Sequence, residues 1–309
     1  MKKLEFYYDS ADGQTKIHAI KWIPEKEIKA ILQIAHGVTE HIDRYDELAE
    51  YLTDKGILVV GNDHLGHGKS LGTTMYFGPE GSWNYVVEDI NTCKNLVEEE
   101  YPTLPYFMLG FSLGSFVLRN FLIDYKPNIA GAVIVGTGYN SNFEVALAKF
   151  IANSEAKKYG EENTTDKIKS LTFATYNKMF ENPKTEYDWL SLSEKNLDEY
   201  TKDPLRGEAM SSGLFRELLS GMKYTCNFIN IKNMNKETPI LFLSGDKDPV
   251  GGQTKGVNKV YDLFKKANIK DVTLKYYENL RHDVLHEDNK KEVYDFIYKW
   301  LIEHIIETI

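Results

Sequence analysis

Gly110-Phe111-Ser112-Leu113-Gly114 begins where the apolar run from Tyr106 to Leu109 ends, and a helical pattern follows it. A serine on such a strand-to-helix turn is pushed out at the end of the strand, and small neighbours let the turn pack. Its hydroxyl is a poor nucleophile near neutral pH unless a base takes its proton. The motif therefore demands a histidine, and a carboxylate to orient that histidine. Among eight histidines, His282 falls in the loop between the last strand-like run, VTLKYY, and the last helical pattern. His286 is read as opening that helix, capping it or facing solvent. The stretch HDVLH lacks the glutamate after its first histidine that zinc peptidases use as base, so no metal is expected. For the carboxylate, SGDKDPVG offers Asp246 and Asp248. Asp248 is preferred because it lies further into the loop and precedes a proline, whereas Asp246 is expected to shape the turn by bonding local backbone N–H groups. An acyl-transfer intermediate also needs donors for its oxyanion. These are expected to be the backbone N–H of Leu113, at the helix start, and that of Val38, in the loop after LQIAHG.

The stretch Asp63 to Ser70, DHLGHGKS, ends like a phosphate-binding loop, but an aspartate stands where that loop needs its first glycine, and turn residues follow instead of a helix. It is read as a glycine-rich loop after a strand. With 37 basic against 46 acidic residues, a net charge of -9 and no basic cluster, nucleic acid is not an expected partner. Cys93 and Cys226 lie far apart in apolar surroundings and are read as buried free thiols. The start MKKLEFYYDS lacks the apolar stretch of a secretory signal, and no window approaches the roughly 20 apolar residues of a membrane span. A cytoplasmic location is expected, without a stable membrane anchor but with room for transient contact with lipid.

Placing these residues requires a particular order of elements. LEFYYDSADGQTKIHAIKWIP alternates like a hairpin. AILQIAHG, GILVVGN, YFMLGF, IAGAVIVG and TPILFLSG are unbroken apolar runs, suited to strands covered on both faces. Helical stripes separate them, such as Tyr45, Leu48, Ala49 and Leu52, or Val86, Ile90 and Val97 behind a Ser82 N-cap. From about Tyr139 to Asn235 the alternation breaks into helical stripes, including Phe143, Leu147, Phe150 and Ile151. The expected division is a first core part at 1–138, a helical insertion at 139–235 and a second core part at 236–309, around a mainly parallel sheet flanked by helices.

HGVTEHIDRY, DHLGHGKS, GFSLGS, SGDKDPVG and RHDVLHE, in this order, resemble the successive signatures of the monoacylglycerol lipase and lysophospholipase family of α/β-hydrolases. The resemblance implies an α/β-hydrolase fold with an inserted helical cap. It implies Ser112, Asp248 and His282 as the triad of a serine esterase, Val38 and Leu113 as oxyanion donors, and a lipid-like ester as substrate, with no cofactor. His36, Gly37, Glu40, His41 and Arg44 then support the oxyanion turn, and DHLGHGKS is a structural loop beside the site. WLSLSEKNLDEYTKDPLRG resembles the cap segment, with Trp189, Tyr200, Asp203, Pro204 and Leu205 in step. Phe143, Phe150, Phe173, Tyr176, Phe180, Trp189 and Phe215 are candidates for lining an acyl tunnel. The other readings are an aminopeptidase-type peptidase or a small-ester carboxylesterase of the same fold, and a catalytically idle sensor of an ester-like ligand.

Overall fold

The computed structural model describes residues 1–70, 75–172 and 175–306. The chain starts with the antiparallel hairpin β1 (Lys2–Asp9) and β2 (Lys16–Ile23), then forms β3 (Ala30–Ala35), α1 (Asp46–Thr53), β4 (Ile57–Asn62), α2 (Trp83–Glu100), β5 (Tyr106–Phe111), α3 (Leu113–Asp124) and β6 (Gly131–Val135). The segment that follows is helical: α4 (Asn142–Tyr159), α5 (Asp166–Thr172), α6 (Glu194–Lys202), α7 (Ser212–Cys226) and α8 (Phe228–Ile231). The chain then returns through β7 (Ile240–Gly245), α9 (Lys255–Lys266), β8 (Val272–Tyr277) and α10 (Lys290–Ile306).

The strands form one 8-stranded sheet in the order β1-β2-β4-β3-β5-β6-β7-β8, parallel from β4 through β8. Every residue of β3, β4, β5, β6 and β7 is buried, which explains their continuous apolar runs. Val86, Ile90, Phe116, Val117 and Val257 pack on one face of the sheet, and Leu48, Leu52, Ile297 and Leu301 on the other. Because the strands run in parallel, the loops after β3, β5, β7 and β8 leave from one edge. Ala35 pairs with Gly110, Phe111 with Val135, and Gly245 with Tyr277. This brings the motifs of four distant loops together.

One local expectation fails. Ser82 precedes α2 but makes no capping bond, and its buried hydroxyl finds no hydrogen-bond partner among the described residues. The Glu217 carboxylate on α7 takes its place, accepting from the N–H groups of Gly81 at 3.0 Å and Trp83 at 3.1 Å. A carboxylate at a helix N-terminus also meets the positive end of the helix dipole.

Candidate active site

Ser112 has φ +51° and ψ −115°, a sparsely populated conformation that turns the chain sharply from β5 into α3. The turn survives because its neighbours are small. A Cβ on Gly114 would lie 2.0 Å from the carbonyl oxygen of Ala35. Ser112 Oγ is 2.8 Å from His282 Nε2, and His282 Nδ1 is 3.0 Å from Asp248 Oδ1. With Nδ1 facing a carboxylate, that nitrogen carries the proton, which leaves Nε2 to accept from the serine. Asp248 and His282 are fully buried, 0% and 1% exposed, so the pair is shielded from water. The imidazole rests against the rings of Phe111 and Trp189, 5.0 and 5.4 Å between centroids. On its other side Gly136, at φ +59°, leaves the space that a Cβ would fill 3.0 Å from His282 Cε1.

Of the two aspartates, the structure brings Asp248 to the histidine. Its Oδ1 also accepts the Val250 N–H at 2.8 Å, so the same carboxylate shapes its own loop. Asp246 does not bond local N–H groups as expected. One of its oxygens faces Lys247 Nζ at 3.4 Å, and the other is buried with no partner among the described residues. His286 also departs from expectation. It precedes the helix, which starts at Lys290, and both ring nitrogens are engaged, Nδ1 with Asp283 at 2.8 Å and Nε2 with the Arg44 carbonyl at 3.0 Å. Burial alone would raise the Asp283 carboxyl, but His286, Arg44 and a bond from Asn196 hold it well below the usual carboxylate range.

Ser112, Leu113 and Val38 line one cavity of about 220 Å³. Among the described residues no acceptor takes the N–H of Val38 or of Leu113. The Val38 loop is held from several sides. Glu40 Oε1 accepts the Gly37 N–H at 2.5 Å and the Tyr45 hydroxyl at 2.8 Å, and Arg44 Nε lies 3.3 Å from Glu40 Oε2. Asp63 organises the adjoining loop from the position that excluded a phosphate site. It accepts the N–H groups of Ile42 and Lys69, each at 2.8 Å.

The model of the family described as Serine aminopeptidase, S33 (Hydrolase_4) matches residues 26–289. The chain belongs to this family of α/β-hydrolases. The S33-type chain is 30% identical over 284 residues to a monoglyceride lipase of Homo sapiens, covering 90% of this chain and 83% of that one. It is 26% identical over 297 residues to a monoacylglycerol lipase of Mycolicibacterium smegmatis, covering 95% of each. Its fold superposes on a carboxyl esterase from Bacillus coagulans, solved with glycerol, at a TM-score of 0.90, 24% identity and 99% coverage of both chains. It is an ester hydrolase of the α/β-hydrolase type.

In this S33-type hydrolase Trp189 and Phe215 line the cavity, as does Tyr176, but Phe143 and Phe150 do not. Those two are 78% and 72% exposed. The helix α4 carries two apolar stripes, and the one of small side chains, Val145, Ala148 and Ala152, faces inward. Val145 and Ala148 line the cavity, and Ala152 is buried. The bulkier stripe looked like the core face, but α4 packs against α7 with Val145 and Ala152 in the shared core and leaves that stripe to solvent. Phe173 lies outside the described residues, and Phe180 stacks under the Arg281 guanidinium at 4.2 Å instead of lining the cavity. The sequence reading missed Phe116 on α3 and Leu218, Leu219 and Met222 on α7, which complete the apolar wall. With Phe215 the α7 residues form an i, i+3, i+4, i+7 stripe, a legible signal in a segment read only for aromatic residues.

Behind the Val38 loop of this hydrolase three buried histidine rings lie tilted against one another, His36 to His64 at 4.2 Å and His36 to His67 at 5.4 Å between centroids. His36 Nε2 accepts the His64 backbone N–H at 3.0 Å, so its Nδ1 is the protonated nitrogen that donates to the Gly37 carbonyl at 2.7 Å. Burial pushes all three imidazoles down, His36 well below its ordinary value, His64 to about 3 and His67 to about 4, and repulsion among them adds to this for His36 and His64. An unfolded histidine binds its proton near pH 6.5. The contribution of the trio is therefore fully present above that pH and is lost as pH falls toward 4. Three protons taken up by unfolding correspond to a slope of about 4 kcal/mol per pH unit. Asp89, pushed up to about 7 by burial, holds one proton in the fold over the same range and offsets about a third of it. Urea unfolding at pH 7, 6 and 5 is expected to give steeply falling stability, and a flat profile would contradict neutral, buried imidazoles.

Proposed function

We propose that the protein hydrolyses carboxylic esters of lipid-like substrates, monoacylglycerols or lysophospholipids, through an acyl-enzyme on Ser112. The observation that carries this is the serine–histidine–aspartate chain opening into an apolar cavity. His282 takes the Ser112 proton as the oxygen attacks the ester carbonyl, and the N–H groups of Val38 and Leu113 receive the oxyanion. His282 then protonates the leaving alcohol and activates the water that releases the acid, while Asp248 holds the tautomer. His36, Gly37, Glu40 and His41 support the oxyanion turn. The segment 139–235 acts as a cap whose α4 and α7 hold the acyl chain against Phe116, Trp189 and Phe215.

No helix among the described residues is long and apolar enough to cross a membrane. The outer stripe of α4, with Phe143, Leu147 and Phe150 at 78%, 53% and 72% exposure, lies on the helix whose inner face lines the cavity. This supports transient contact with a lipid surface at the entrance. The peptidase reading needs a free carboxylate for an α-amino group. Glu144 lines the cavity, but its carboxylate is taken up in capping α4, accepting from Ser141 N at 2.9 Å and Oγ at 2.7 Å.

The test is kcat/KM over p-nitrophenyl esters of increasing chain length, with Ser112→Ala beside the parent protein. The expected result is a serine-dependent rise from acetate to medium or long chains. On long-chain ester in vesicles, but not on soluble ester, Phe143→Ser/Phe150→Ser is expected to be slower. An optimum at acetate would replace the lipid substrate by small esters, and turnover of aminoacyl arylamides without ester cleavage would favour the peptidase.

A further inference from the structure

Thr39 follows Val38 with φ +59° although it is β-branched, a conformation that such residues rarely adopt. Its hydroxyl donates to the Val38 carbonyl oxygen at 2.6 Å. That bond uses its single hydrogen, so in the 2.5 Å contact between Thr39 Oγ1 and the Tyr200 hydroxyl the donor is Tyr200. Val38 thus lies between two pinned peptide planes. His36 holds the carbonyl of the plane carrying the Val38 N–H, and Thr39 holds the next. Tyr200 belongs to α6, in the helical segment between β6 and β7, and is buried with the guanidinium groups of Arg44 and Arg206 at 5.0 and 4.9 Å from its ring. It does not line the cavity, so its influence on the reacting atoms is indirect. The same two elements meet again where His41 Nε2 lies 2.6 Å from Asp203 Oδ2 and Arg44 donates to Asn196 at 3.0 Å.

We propose that Tyr200 is a positioning residue for ester hydrolysis: by bonding Thr39 in its left-handed conformation it keeps the Val38 N–H aimed at the oxyanion. Without that bond, Thr39 relaxes toward negative φ and the Val38 peptides rotate away. The inference rests on the reading of Val38 as an oxyanion donor and of Ser112 as nucleophile. It makes a specific demand, because glycine adopts φ +59° without side-chain strain and frees the loop from its dependence on Tyr200.

The experiment is a double-mutant cycle in kcat and KM on a p-nitrophenyl ester, with Tyr200→Phe made in the Thr39 and in the Thr39→Gly background. Phenylalanine keeps the ring and its stacking. In the Thr39 background kcat is expected to fall on the order of tenfold with KM little changed, less than the loss of a whole oxyanion donor. In the Thr39→Gly background the same change is expected to cost less than about twofold. Equal losses in both backgrounds, no loss in either, or a change confined to KM would each overturn the coupling. Activity surviving in Ser112→Ala overturns this inference together with the proposed mechanism, whereas a serine-dependent parent enzyme with an unaffected Tyr200→Phe overturns the coupling alone.

Discussion

Ser112→Ala is expected to lower kcat/KM on esters by about 10⁴-fold or more, with little change in thermal stability. The serine hydroxyl is the group facing His282 Nε2 at 2.8 Å and opening into the cavity, and alanine leaves the turn itself untouched. The backbone is held independently of that hydroxyl, by the Ser112 N–H on the Val135 carbonyl at 3.0 Å and by the close approach of Gly114 to β3. Removing the hydroxyl removes the atom that would be acylated, while the N–H groups of Val38 and Leu113 and the cavity remain. Intact-protein mass spectrometry after a serine-directed phosphonate should show one adduct on the parent chain and none on the variant. Near-normal turnover in Ser112→Ala would exclude the acyl-enzyme.

Asp248→Asn is expected to cost about 10⁴-fold in kcat, and Asp246→Asn only a few-fold. Asp248 Oδ1 faces His282 Nδ1 at 3.0 Å and fixes the tautomer whose Nε2 can accept from Ser112. An asparagine can turn its amide N–H toward Nδ1, which moves the imidazole proton to Nε2 and leaves the serine facing a donor. The same turn sets the amide against the Val250 N–H, which Oδ1 also accepts at 2.8 Å, so the variant loses a bond within the loop as well as the tautomer. Asp246 has no such link to the histidine among the described residues, and its carboxylate faces Lys247 at 3.4 Å. Parallel kinetics on the two variants separate the residues, and the reverse ranking would transfer the acid to Asp246.

Much of this arrangement was legible in the chain because it depends on local chemistry. A continuous apolar run such as AILQIA has to become a strand covered on both faces, and β3 is buried throughout. The reading weakened wherever a partner comes from far along the chain. Ser82 had the right type and position for a cap, but Glu217, 134 residues away, reached the N–H of Trp83 instead. His286 looked like a helix start and became a strut between Asp283 and Arg44.

The helix α4 marks the boundary most clearly. Its sequence allows two apolar stripes, and periodicity ranks them by bulk, which favoured Phe143, Leu147 and Phe150. The approach of α7 selected the small stripe and left the large one outside, since close packing of two helices rewards fit over size. By itself the sequence determined the strand order along the chain, the serine turn, and the loops that would have to carry the acid and the base, because each follows from residues within a few positions of one another. The tertiary structure alone decided that Asp248 reaches His282, which side of α4 faces the cavity, and that Tyr200 bears on the loop of Val38 and Thr39. Asp248 and His282 are 34 positions apart and Thr39 and Tyr200 are 161 apart, and no local pattern encodes a meeting that only the packed sheet and helices bring about.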